Sequence, residues 1–263
     1  MFLEITSKNN EQIKYLRKLS SKSFRDAEGA FVIEGTKLFQ EAVKKRLQFK
    51  QVFMTSEWLK TNDALFNESM IELVDNGVPI AIVAASILTS VSNLQKPEGI
   101  ICTLPKMSVQ PGIFKRSILL EDVQDPYNVG SIIRTADAAG FDCVVTSNKT
   151  ADIYNEKVLR GSMGSIFHLP IYQVESLPVY VKHLKEQLVT IIGTSLTGSS
   201  IWEREPLTES FAIIMGNESR GMSDKMSECC DVLLKIPIWG QAESLNVATA
   251  AGIIMYDLIR DFK

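Results

Sequence analysis

Histidine is nearly missing from this chain, and cysteine is sparse. With only His168 and His183 present, any histidine-based triad would hang on one of two residues, and neither lies in a nucleophile elbow. The four cysteines, Cys102, Cys143, Cys229 and Cys230, form no CxxC pair and have no histidine at metal spacing. They argue against a structural zinc and for buried thiols in a reducing compartment, so no metal is expected. No apolar run reaches the roughly 18 residues that a membrane helix needs, and the opening residues lack the basic-then-apolar layout of a signal peptide. A soluble, cytoplasmic protein with no membrane partner is the expectation. Neither GxGxxG after a strand nor GxxxxGK[ST] occurs, which removes the dinucleotide and P-loop readings.

What is present is an ordinary globular composition, 45% hydrophobic and 22% charged over 263 residues. A chain of this length buries enough surface to fold without disulfides or metal. The net charge of −3 hides an asymmetry. Residues 1–50 carry 11 Lys and Arg against 6 Asp and Glu, whereas residues 106–263 carry 15 against 19. A basic surface on an acidic chain can still release counterions from a phosphate backbone. Lys14, Arg17 and Lys18 fit equally well the wet face of an amphipathic helix.

The stretch 104–112, with two prolines and a glycine between apolar runs, divides the chain into domains at 1–105 and 106–263. The first domain reads as helix 11–19, strand 31–34, helix 37–45, strand 51–54, a helix, strand 79–83, a helix and strand 99–103. The second reads as strand 117–121, a helix carrying Val129, Ile132, Ile133, Ala136 and Ala139 with Gly140 past its end, then strand 143–146. Helix 155–161, strand 169–172, helix 177–186, strands 188–194, 211–215 and 232–236, and a closing helix 244–261 follow. Short apolar strands alternating with helices predict an α/β fold with a largely parallel sheet. In such sheets ligands bind beyond the carboxyl ends of the strands.

Three loops stand at such ends. Asp122 to Gly130 follows strand 117–121 and leads into a helix bearing Ser131 and Arg134. Gly216 to Gly221 follows strand 211–215, and Pro237 to Asn246 follows strand 232–236. Each holds glycine for close backbone approach and amides or carboxylates that can fix a polar ligand. Singly, each also fits a structural role: Asn128 as a helix cap, Arg134 as a surface arginine, Ser223 capping a short helix, Glu243, Ser244 and Asn246 capping the last helix. The stretch Gly193-Thr194-Ser195-Leu196-Thr197-Gly198 bears glycine after a strand but is weak as a motif.

Taken together, the loops resemble the SpoU (TrmH-like) branch of the SPOUT superfamily, RNA ribose 2′-O-methyltransferases that use S-adenosyl-L-methionine. The residues that carry the resemblance are Asp125-Pro-Tyr-Asn128-Val-Gly130-Ser-Ile-Ile-Arg134, then Ile214-Met-Gly216-Asn-Glu218-Ser-Arg-Gly221, then Ile236-Pro-Ile-Trp-Gly-Gln-Ala-Glu-Ser244-Leu245-Asn246. The N-terminal part, through Ala30-Phe-Val-Ile-Glu34-Gly35-Thr-Lys37, is similar to the small α/β RNA-binding domain, akin to a ribosomal protein, that precedes the catalytic domain in many members. Trp239-Gly-Gln-Ala departs from the smaller or more polar run of many relatives.

The resemblance implies a C-terminal parallel-sheet domain tied in a deep trefoil knot, and a homodimer through that domain. It places the cofactor on Gly216, Ile236 and Leu245, with Thr194, Met215, Asn217, Gly221 and Ile238 beside them. It places catalysis on Arg134, Asn128, Glu218, Ser244 and Asn246. Ribosomal RNA is the favoured substrate. A tRNA-directed enzyme, a silent RNA-binding protein of the same fold and a small-molecule methyltransferase remain alternatives. The family's role for the arginine as a base is at odds with a guanidinium that hardly deprotonates; alkoxide stabilisation or a phosphate clamp suits it better.

Overall fold

The computed structural model describes residues 2–62, 73–74, 76–109, 112, 114–207 and 209–262. Gln110 and Pro111 of the expected linker lie outside the described residues. The chain forms two units, Met1–Ser108 with Tyr154–Arg160, and Val109–Ile153 with Gly161–Lys263.

The first unit begins with β1 (Leu3–Ile5), α1 (Glu11–Lys18) and α2 (Lys22–Glu28), followed by β2 (Ala30–Glu34) and α3 (Thr36–Lys44). It continues with β3 (Gln51–Met54), α4 (Ser56–Thr61), β4 (Ile80–Val83), α5 (Ala85–Thr89) and β5 (Ile100–Pro105). Its strands lie in the order β1-β4-β3-β5-β2. Asn10 starts α1 by accepting a hydrogen bond from the Gln12 amide, and Ile13 and Leu16 turn inward to join Ile5, Phe53, Val83 and Ile101 in the core. Tyr154 packs its ring on Phe31, centroids 4.5 Å apart.

This sheet is mixed, against the expectation of a largely parallel one. β1, β4 and β3 are parallel, but β5 runs antiparallel to both β3 and β2. Alternation of strands and helices does not fix direction: the connection from Val83 to Ile100 is long enough for a crossover, yet it returns β5 antiparallel beside β3.

Not all 11 Lys and Arg of residues 1–50 contribute to a basic surface. Arg25 is not a surface cation; it is 4% exposed and donates to the carbonyls of Leu19 and Ser20 at 2.8 and 2.7 Å, closing the end of α1. Lys14 and Lys22 pair with Glu11 and Asp26, each at 2.7 Å, while Lys18 stands over the Phe24 ring. Arg25→Ala should therefore destabilise the fold by about 1–3 kcal/mol, since two carbonyls lose their donor. Charge reversal at Arg17 and Lys18 should leave the melting temperature nearly unchanged and reduce the salt dependence of RNA binding by about one unit of slope per lost phosphate contact. Thermal melts and salt titrations of the two variants check this; an unaltered slope would make these cations a solvated face only.

The second unit contains β6 (Arg116–Leu120), α6 (Pro126–Ala139), β7 (Cys143–Thr146), the end of α7 (Glu156–Ser162), β8 (Ile171–Gln173) and α8 (Leu177–Glu186). Then come β9 (Thr190–Ser200), β10 (Phe211–Met215), α9 (Asp224–Ser227), β11 (Val232–Lys235) and α10 (Val247–Ile259). The strand order is β11-β9-β10-β6-β7-β8, and every pairing is parallel. Such strands are covered on both faces and so read as continuous apolar runs; β10 is buried throughout. Asp125 caps α6, with Pro126 in its first turn, and Gly140 ends it in the left-handed conformation at φ 75°, a position that favours glycine.

Two boundaries depart furthest from the sequence reading. β9 runs on to Ser200 because the Thr- and Ser-rich stretch after Gly193 pairs with β11 through a register shift at Leu233/Leu234. The closing helix starts at Val247 because the Asn246 side chain accepts from the amides of Ala248 and Thr249, leaving Ser244 and Leu245 in the loop. Cys102 and Cys143 are buried, but Cys229 and Cys230 are only half-buried. No helix is long and apolar enough to cross a membrane, and no group of three potential metal ligands occurs, among the described residues.

Strand succession reverses between β6 and β10: β6, β7 and β8 step to one side, while β10, β9 and β11 lie on the other. That reversal opens a crevice at the carboxyl ends of β6 and β10.

Candidate functional site

The loops after β6, β10 and β11 meet in that crevice, joined by a chain of hydrogen bonds. The amides of Gln124 and Asp125 donate to the two carboxylate oxygens of Glu218 at 3.1 and 2.9 Å. The side-chain amide of Asn128 donates to the same carboxylate at 3.1 Å, and that of Asn246 donates to the Asn128 oxygen at 2.9 Å. The Asn246 oxygen is taken by the first turn of α10, so only its nitrogen is left for Asn128. Three of the sequence-selected residues thus spend their polar groups on holding three loops together.

Burial pushes the Glu218 carboxyl up, but the donated hydrogen bonds from Asp125, Gln124 and Asn128 outweigh it and leave its pKa below the ordinary value. Glu218 is therefore ionised at neutral pH and acts as an acceptor, not as a proton donor. Asp122 supports the same junction from an uncommon backbone conformation, φ 57°. Its carbonyl accepts from the Asn217 side chain at 2.8 Å, and its carboxylate from the Ser147 hydroxyl at 2.8 Å. Aspartate tolerates this left-handed region better than most residues.

Below the junction lies a cavity of about 490 Å³, within the range of small-molecule sites. Thr194 lines it from β9, and Met215, Gly216, Asn217 and Gly221 from the end of β10 and its loop. Ile236, Ile238 and Leu245 line it from the segment after β11, with Val247, Ala250 and Ile254 of α10 beneath. Glu218 and Ser244 also reach the lining, whereas Asn128 and Asn246 stand behind it. The sequence did not single out Leu196, Lys235 or Met222, which contribute to the wall; only the weak glycine-bearing stretch after Gly193 hinted at the first.

The Gly216 loop folds back on itself, with Asn217 and Gly221 exchanging backbone hydrogen bonds at 3.0 and 2.9 Å. A Cβ on Gly216 would lie 2.2 Å from the Met222 nitrogen and 2.3 Å from the Gly221 carbonyl carbon. The glycine is required by the loop's own backbone, not by space left for a ligand.

Arg134 is set apart. It is exposed on α6, does not line the cavity, and no hydrogen bond or ion pair holds its guanidinium among the described residues. Its neighbours on the exposed side of α6 are Tyr127 and Ser131.

The family model for the SpoU rRNA Methylase family matches residues 115–256, and that for the MRM3-like substrate binding domain matches residues 10–102. The chain is 36% identical over 257 residues, 97% of its length and 98% of the relative's, to the 23S rRNA (guanosine(2553)-2′-O)-methyltransferase RlmP of Bacillus subtilis. It is 31% identical to an uncharacterized tRNA/rRNA methyltransferase of Synechocystis, covering 97% of this chain and 93% of that one. Among solved structures it is similar to the AdoMet-bound rRNA methyltransferase of Sinorhizobium meliloti, with a TM-score of 0.86, 26% identity, and coverage of 99% of this chain and 98% of that one.

Proposed function

The chain belongs to the SpoU rRNA Methylase family, and from that premise we propose that it transfers a methyl group from S-adenosylmethionine to a ribose 2′-hydroxyl of 23S rRNA. The observation that carries the reading is the cavity beside the strand-order reversal, walled by the loops after β10 and β11, with the loop after β6 tied to that wall through Glu218. It fits the cofactor in kind: apolar Ile236, Ile238 and Leu245 suit a flat base, and the tight Gly216 turn brings backbone groups to the wall. When bound, S-adenosylmethionine supplies an electrophilic methyl on a good leaving group.

The protein's own tasks are alignment and removal of the hydroxyl proton. Glu218, Asn128 and Asn246 fix the loops, so that Gly216, Ile236 and Leu245 hold the cofactor while Ser244 stands at the wall with a free choice of hydrogen-bond direction. Arg134 serves as a positive, planar donor for the developing alkoxide or the neighbouring phosphate. A 2′-hydroxyl target makes RNA the substrate. The guanosine of the Bacillus subtilis relative's name is the first nucleoside to expect. The first unit holds the RNA, supported by the substrate-binding-domain match and the cations of α1. A cytoplasmic location suits that substrate.

The trefoil knot belongs to the same reading, supported by the placing of β11 beyond β9 and by the return of Asn246 to Asn128. So does the homodimer. Ile253 and Tyr256 are exposed on α10, which packs on α6, the helix that carries Arg134. The full-length chain should sediment as a dimer, and Ile253→Glu with Tyr256→Glu as a monomer; a wild-type monomer would contradict it. Calorimetric titration with S-adenosylmethionine tests the cofactor half of the proposal. One site per chain is expected, and an absence of binding would remove it.

A further inference from the structure

The mechanism leaves two tryptophans unused. Of the three in the chain, Trp58 is buried, but Trp239 is 85% exposed and Trp202 48% exposed. Their rings are stacked, with centroids 5.0 Å apart and planes within 8°. The stack follows from the sheet. The segments after β9 and β11 leave side by side, with the Ile201 amide donating to the Lys235 carbonyl at 3.0 Å, and each then presents one indole. Trp239 follows Ile238 directly in the segment that leads to Glu243, and both of these line the cavity, so the indole is carried next to the cavity wall.

A large indole left in water on a turn is unusual, because its burial elsewhere would stabilise the fold. Here Trp202 lies parallel to the Trp239 ring and sets its plane, while most of the Trp239 surface stays open to solvent. An unpaired nucleobase is the RNA group whose shape matches such a surface. For a 2′-oxygen to enter a cavity of this kind, the nucleotide must leave the regular stack, and its base or its neighbour's then has a bare face within one nucleotide of the rim. We infer that Trp239, backed by Trp202, is a stacking platform for a nucleobase at or next to the methylated nucleotide. The inference rests on the reading of the cavity as the methyl-donor site.

The test uses the full-length chain, in vitro transcribed 23S rRNA and S-adenosylmethionine with a tritiated methyl group. Trp239→Ala should bind the cofactor within about twofold of the parent and bind the rRNA about fivefold to 150-fold more weakly, the span measured for loss of one base–aromatic stack. Trp239→Phe should recover most of that loss, whereas Trp239→Leu, apolar but not planar, should not. The rRNA should quench tryptophan emission in the parent and much less in Trp239→Phe. Equal rRNA affinity for the parent and Trp239→Ala would overturn the platform, as would equal rescue by Leu and Phe. Dissociation of a parent dimer by Trp239→Ala would reassign the face to a second copy of the chain. A parent that binds cofactor but methylates no RNA would instead overturn the proposed function, while the quenching still reads the platform.

Discussion

Gly216→Val is expected to weaken S-adenosylmethionine binding on the order of a hundredfold, equivalent to about 2.8 kcal/mol of lost contacts, because the loop that walls the cavity must open. A Cβ at this position falls 2.2 Å from the Met222 nitrogen and 2.6 Å from the Gly221 oxygen, atoms of the main chain that no rotamer change can move. The loop must open, and with it the backbone exchange between Asn217 and Gly221 is lost. Opening also shifts Glu218, which anchors the amides of Gln124 and Asp125, so the wall is disturbed on two sides. The melting temperature of the variant and its far-ultraviolet spectrum, read beside calorimetry, distinguish a lost site from a lost fold. A folded Gly216→Val protein with parental affinity would show that the cofactor does not use this loop.

Arg134→Ala separates binding from chemistry. Arg134 lies outside the cavity wall, so S-adenosylmethionine affinity should be unchanged, whereas single-turnover methyl transfer should fall on the order of a hundredfold to a thousandfold, the usual effect of removing a group that stabilises transition-state charge. Arg134→Lys should recover little, because a point charge does not reproduce the planar fork of donors. Methyl transfer by Arg134→Ala at the parental rate would reduce this residue to a surface arginine on an amphipathic helix.

How much of this was legible in the sequence depended on where the signal lay. α8 was legible because Ser176-Leu-Pro opens it and Leu177, Val181 and Leu184 recur on its buried face. β7 and β10 are fully buried parallel strands, and such strands are written as unbroken apolar runs. β1 was not legible: of its 3 residues only Ile5 points inward, too short for any period to show. α2 was hidden for a different reason, since its one buried side chain is Arg25, a residue type that reads as surface. The reversed direction of β5 lies in its pairing with β3 and β2, not in β5's own residues.

The site divides in the same way. Asn128, Glu218 and Asn246 were legible as polar groups in glycine-bearing loops, but their mutual hydrogen bonds were not, because they cross 90 and 118 residues of sequence. The Gln124 and Asp125 amides that hold Glu218 could not be read at all, since a backbone donor has no residue signature. The Trp202–Trp239 stack joins two segments whose pairing appears only once β9 and β11 are neighbours.

The central claim is chemical, methyl transfer to a ribose oxygen, and the product nucleoside tests it most directly. The purified full-length chain is incubated with tritiated S-adenosylmethionine and 23S rRNA from a strain that lacks this protein, and the rRNA is then digested to nucleosides. The account predicts label in a single 2′-O-methylated nucleoside, at a stoichiometry approaching one methyl per 23S rRNA, and no label with rRNA already modified in the parent strain. Label on a base, or none on the rRNA from a chain that binds the cofactor, would contradict it.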